Sequence, residues 1–199
     1  DDALSGLAYN LRDQTKSILN RREVLGRLVE EIVQNHDESG RWSRLLKPPT
    51  DWDMIRQKVL DPQVSAAVLD SQGRLQDEAS VRDVLSGSVN MKLKVEQLVN
   101  LLDEELSDVY SFPLLSPEFC ADVASYHQFI THLVQQHPTW EQVLGRRPLD
   151  LDDIGLRWVS DLLFNMFLKP ITTHLFQESE ASGLLDWRQG YIAAYKAGT

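Results

Sequence analysis

The sequence predicts a mostly helical α+β chain, and three patterns carry that expectation. Apolar residues recur at three- and four-residue spacing through most of the first hundred positions. An extended apolar run from Tyr110 to Leu115 stops at Ser116-Pro117-Glu118, a helix-start signature, so a strand feeds directly into a helix. Near the end of the chain, Tyr191-Ile192-Ala193-Ala194-Tyr195 places Tyr191, Ala193 and Tyr195 on one face of a strand and Ile192 and Ala194 on the other.

From Ala3 to about His36 the pattern is helical, with Leu4, Leu11, Ile18, Leu25 and Ile32 spaced seven apart. Gln14 and Arg21 interrupt the intermediate positions, which fits a long helix packed on the chain, or pairing with a second copy or a partner helix, better than a sustained coiled coil. The polar stretch Asn35 to Gly40 ends it. Lys47-Pro48-Pro49 reads as a stiff connector, and Thr50-Asp51-Trp52-Asp53 as a capping box opening a helix through Leu60 that Asp61-Pro62 closes. Val64 to Leu69 predicts a strand entering a turn, although its two alanines suit a helix almost as well. Ser80 to Leu85 is a short helix broken by Ser86-Gly87-Ser88, and Met91 to Leu106 a stronger one with Val95, Leu98, Val99, Leu102 and Leu106 on one face. A boundary near Ser107 and Asp108 divides a helical region, residues 1–108, from a mixed region, residues 109–199.

In the second region the helix after Ser116 carries Phe119, Val123, Tyr126, Ile130, Leu133 and Val134 on one face. A later helix through Leu162, Phe164, Met166, Phe167, Ile171 and Leu175 is apolar nearly all round, which predicts burial against a sheet, with a kink at Lys169-Pro170. Trp158 and Trp187 read as core or rim aromatics.

Composition excludes several functions. Thirty acidic against 20 basic residues give a net charge of −10, the wrong sign for a phosphate-binding surface, and Arg146-Arg147 is too small a basic cluster to act as one. No apolar run reaches the roughly 20 residues of a membrane span. The single cysteine, Cys120, rules out an internal disulfide framework and a cysteine zinc site. In the first turn of a helix it reads as a small core residue more than as a reactive thiol. One cysteine suits either redox compartment, and a cytoplasmic setting is favoured. His127, His132 and His137 recur every five residues, but successive members diverge by about 140° on a helix and share no face. His36-Asp37-Glu38 lies at a helix end with no distal partner, and Asp150 to Asp153 lacks the calcium-loop pattern. No nucleophile elbow, zincin, P-loop or dinucleotide motif occurs.

Four segments follow one another in a telling order: Ser111-Phe112-Pro113-Leu114-Leu115-Ser116-Pro117-Glu118-Phe119-Cys120, then Arg147 to Leu156, then Phe164 to Ile171, then Arg188 to Thr199. This order resembles the N-terminal half of the catalytic domain in iron- and 2-oxoglutarate-dependent oxygenases of the prolyl-hydroxylase type. Within them it looks most like the "2-oxoglutarate and iron-dependent oxygenase domain-containing protein 2" group. The resemblance covers Tyr110 to Thr199. It implies that residues 109–199 hold the opening strands and buttressing helices of a double-stranded β-helix, or jelly roll. It also implies hydroxylation coupled to oxidative decarboxylation of 2-oxoglutarate, with Fe(II) and ascorbate. Tyr195 matches the tyrosine of the family's Y-x-x-G segment, here Tyr195-Lys196-Ala197-Gly198, which faces the co-substrate in some members. Read from the residues alone, Tyr191 and Tyr195 fit an aromatic strand packed on a helix better than a cavity wall.

The family holds iron with an H-x-D motif just after this strand and a second His far downstream, and the chain ends before either. No catalytic and no metal residue is therefore assigned, and a fragment or truncated product inactive on its own is expected. The alternative function, from another class, is a helical interaction module that docks through the stripe from Leu4 to Ile32.

Overall fold

The computed structural model describes residues 26, 27, 29–69, 79–89, 95–107, 109–136, 149–175 and 190–193. Among these, helix dominates and the few strands are short and antiparallel, an α+β arrangement. Of the seven-spaced stripe, Leu4, Leu11, Ile18 and Leu25 lie outside the described residues, and Ile32 is buried.

Helix α1 (residues 29–36) buries Val29, Ile32 and Val33 on one face. Its exit is shaped by Gly40 in the left-handed region (φ 65), and α2 (Arg41–Leu46) begins there. Glycine has no side chain to cap with, so the Asp37 carboxylate does it from outside, accepting from the Arg41 and Ser43 backbone N–H groups at 3.0 and 2.7 Å. Trp42 of α2 stacks on Phe129 with centroids 5.6 Å apart, and Arg41 lies over the Trp42 ring while pairing with Asp122.

Helix α3 (Trp52–Met54) continues into a π-helical turn, Ile55–Val59. The cap is Asp51, not Thr50: its carboxylate accepts from Met54 N–H at 2.8 Å. Asp61-Pro62 does more than close this helix. Asp61 caps α4 (Pro62–Val68), and Pro62 fills the first turn where a missing N–H costs nothing. Val64 to Leu69, read as a strand with a helix almost as well suited, is therefore helical through Val68, because the cap and the Ala66-Ala67 pair outweigh its β-branched residues. Helix α5 (Val81–Ser86) has the reciprocal Ser80–Asp83 capping box and ends on left-handed Gly87.

Helix α6 (Val95–Val99) is far shorter than the helix expected from Met91 to Leu106. The chain turns after Leu98 and runs out as β1 (Asp103–Leu106), which pairs with β2 (Val109–Ser111). Asp103, Glu104 and Glu105 thus sit on an exposed strand, where they escape the negative end of a helix dipole. One apolar core holds residues from both sides of the expected boundary near Ser107 and Asp108.

Helix α7 (Pro117–Gln136) starts where Ser116 Oγ accepts from Phe119 N–H at 3.1 Å, and buries Phe119, Tyr126, Ile130, Leu133 and Val134 as the periodicity predicts. The segment before it is anchored by an antiparallel bridge from Leu115 to Leu60. Cys120, expected in the core, is exposed; it follows the inward-facing Phe119 by about 100° around the helix.

Strand β3 (Leu149–Asp150) pairs with β4 (Tyr191–Ile192). Helix α8 (Arg157–Leu162) widens into π geometry over Leu163–Leu168 and resumes as α9 (Lys169–Leu175). Pro170 explains the widening. It offers no N–H to the Met166 carbonyl and its ring crowds that oxygen, and a wider turn relieves both. The long apolar helix packs mainly against α5 and α6, not against a broad sheet as expected, and Met166 and Phe167 are fully buried. No described helix is long and apolar enough to cross a membrane.

Candidate functional site

Strand β4 carries Tyr191, the first tyrosine of the Tyr191 to Tyr195 segment. Tyr191 lies opposite Asp150 and Ile192 opposite Leu149. Alternation places Ile192 partly inside, whereas Tyr191 is 58% exposed and Ala193 is exposed on the same face. Tyr195 lies outside the described residues, as do His137, Arg146, Arg147 and Trp187.

The strand is held close to α8 by Gly190. Its carbonyl accepts from Leu151 N–H at 2.8 Å, and a Cβ there would stand 2.9 Å from both Leu151 Cδ1 and Ser160 Oγ. Only glycine lets the backbone approach this closely. The loop after β3 is a built turn. Asp150 Oδ1 accepts from Asp152 N–H at 3.0 Å, Asp150 O from Ile154 N–H at 3.2 Å, and Gly155 takes φ 80. The Asp150 to Asp153 run therefore includes the edge of a strand and a buried Leu151.

Tyr126 pins this turn from below. It is fully buried, and its hydroxyl donates to the Ile154 carbonyl at 2.8 Å. Burial, with a smaller contribution from Glu30, pushes its ionisation far above the usual phenol range, so it acts as a neutral donor.

Among the described residues, no group of three or more His, Cys, Asp or Glu side chains is gathered to hold a metal ion. His132 is exposed on α7 and bonds Gln136, while His127 is buried on the same helix, so the two face different ways.

No motif in the sequence marks the cleft that the fold forms elsewhere. A cleft of about 680 Å³ opens between the Pro48-Pro49 connector, α5 and the start of α8. Leu46, Pro49, Leu85 and Trp158 form its apolar wall, with Arg82, Arg157 and Asp161 around it. Trp158 is fixed by its indole N–H donating to the Leu45 carbonyl at 2.9 Å, and Leu46 closes over Gly155, where a Cβ would stand 2.9 Å from Leu46 Cδ2. The cleft draws on segments more than a hundred positions apart, which no local pattern in the sequence connects.

Compared with known proteins, the chain matches no family model, no curated protein and no solved structure.

Proposed function

We propose that the chain is the N-terminal part of a non-haem iron, 2-oxoglutarate-dependent dioxygenase, a hydroxylase of a protein or small-molecule substrate. In this reading residues 109–199 open a jelly-roll domain. What supports it is the order of elements: an extended segment anchored at Leu115, the Ser116-capped α7, the turn before Gly155, the buried α8 to α9 helix, and then β4. The observation that carries most weight is the open face of β4. Tyr191 and Ala193 are both exposed there, and Tyr195, which the resemblance assigns to the co-substrate, follows four positions after Tyr191 in the sequence.

Among the described residues no group of three or more His, Cys, Asp or Glu is gathered to hold iron. Fe(II), 2-oxoglutarate and ascorbate belong to the proposal for a protein that also carries the H-x-D motif and the second His. The exposed Tyr191 hydroxyl is a donor suited to a carboxylate, and this chain's own part is to present that strand face on a rigid helical backing. The test is to read the source transcript past the codon for Thr199. Continuation into H-x-D, then a distal His followed by a basic residue, is expected; an open frame without them overturns the proposal.

A further inference from the structure

We infer that the cleft between the Pro48-Pro49 connector, α5 and α8 is a binding site for a small amphipathic carboxylate, a molecule with an apolar body and a single negative charge. Its volume, about 680 Å³, lies within the range of small-molecule sites, roughly 300–1,000 Å³.

The chemistry of the ligand follows from which polar groups in the lining are already engaged. The Trp158 indole N–H is spent on the Leu45 carbonyl, which leaves the ring's carbon surface for the cleft. Ser86 Oγ donates to the Asp83 carbonyl at 3.0 Å, and Thr50 Oγ1 donates to the Asp51 carboxylate at 3.4 Å. Arg157 Nε faces the Asp161 carboxylate at 3.5 Å, so those two charges offset one another. Arg82 is different: it makes no hydrogen bond or ion pair among the described residues. Among the described lining residues two guanidiniums stand beside one carboxylate, in a chain whose total charge is −10.

One unpaired guanidinium beside an apolar wall selects for one anion and an apolar remainder. A guanidinium binds a carboxylate through two parallel N–H bonds, and the apolar wall beside it takes up the rest of the ligand. A cation would meet the wrong sign beside that guanidinium. The walls are rigid, since Gly155 and Leu46 interlock and Trp158 is bonded at its far edge. On α8, Trp158 and Ser160 are two positions and about 200° apart, so the cleft lies across the helix from the side that Gly190 and β4 approach. The assignment is independent of the oxygenase reading.

The experiment is a pair of NMR titrations of the ¹⁵N-labelled chain with naphthalene-2-carboxylate and the neutral naphthalene-2-carboxamide. The readouts are the Trp158 indole and Gly155 amide signals, the former assigned by its loss in Trp158→Phe. The carboxylate is expected to bind about tenfold more tightly than the amide, as a charge-assisted pair should. Arg82→Gln, at an exposed position, is expected to bring the carboxylate down to the amide's affinity and leave the amide unchanged. Equal affinities, a difference that survives Arg82→Gln, shifts that spare Trp158 and Gly155, or no binding of either compound at millimolar concentration would each overturn the inference.

Discussion

Removing one oxygen atom, by Tyr126→Phe, tests how the centre of this molecule is held. The ring contacts remain available to phenylalanine, including the tilted approach to Trp42 at 5.7 Å, so the variant isolates the hydroxyl. That hydroxyl donates to the carbonyl of Ile154, a fully buried residue in the turn between β3 and α8. A typical hydrogen bond contributes about 1 kcal/mol net, and a buried carbonyl left unsatisfied raises the loss to about 2 kcal/mol. For a chain of this size that lowers Tm by about 4–8 °C. Urea denaturation should show a lower midpoint with an unchanged slope.

The same variant has a pH signature. Burial, and secondarily Glu30, raises the folded-state ionisation of Tyr126 above its unfolded value of about 10. A raised value means the unfolded chain loses its proton first. The stabilisation is therefore whole below about pH 10 and drains away as pH rises beyond it. Phenylalanine has nothing to ionise, so the gap between wild type and Tyr126→Phe should narrow above pH 10. A loss within about 0.5 kcal/mol at neutral pH, or a gap constant up to pH 11, would refute the reasoning.

Three further outcomes follow from the same structure. Gly155→Ala puts a side chain at φ 80 and a Cβ 2.9 Å from Leu46, and should cost about 2–3 kcal/mol in chemical denaturation from backbone strain and overpacking together. Asp37→Ala should cost about 1 kcal/mol, as loss of a helix cap does. Burial alone would raise the Asp37 carboxyl, but hydrogen bonds from Ser43, Ser39 and Arg41 outweigh it and hold the group below its ordinary range. The advantage of the native residue should therefore be present above about pH 4 and fade as pH falls below it, which denaturation at pH 7 and pH 3 would check. Cys120 is exposed, so iodoacetamide should alkylate it in the native chain nearly as fast as in urea, and strong native protection would contradict its placement.

Sequence reasoning succeeded where structure is decided within a few residues. Ser80, Ser116 and Gly87 act as the helix punctuation they resemble, because capping needs only a side-chain oxygen or a permissive backbone close by. It failed where two periods fit the same residues. Leu98, Leu102 and Leu106 suit a helix, yet pairing with Val109 to Ser111 draws the last part of that stretch into a strand. Cys120 was misplaced because its burial depends on which way α7 rolls, and Phe119 takes the inward position. The cleft was illegible for a different reason. Its charge balance arises only when Arg82 and the Arg157–Asp161 pair meet around Trp158, and that meeting is a product of the fold.

For the proposed oxygenase reading the decisive measurement is succinate formation from 2-oxoglutarate by the longer protein that this proposal requires, one carrying an H-x-D motif and a distal His, beside the 199-residue chain alone. The account predicts Fe(II)-dependent succinate from the longer protein and none from the chain alone. Succinate from the 199-residue chain, or none from the longer protein with Fe(II) and ascorbate supplied, would contradict it.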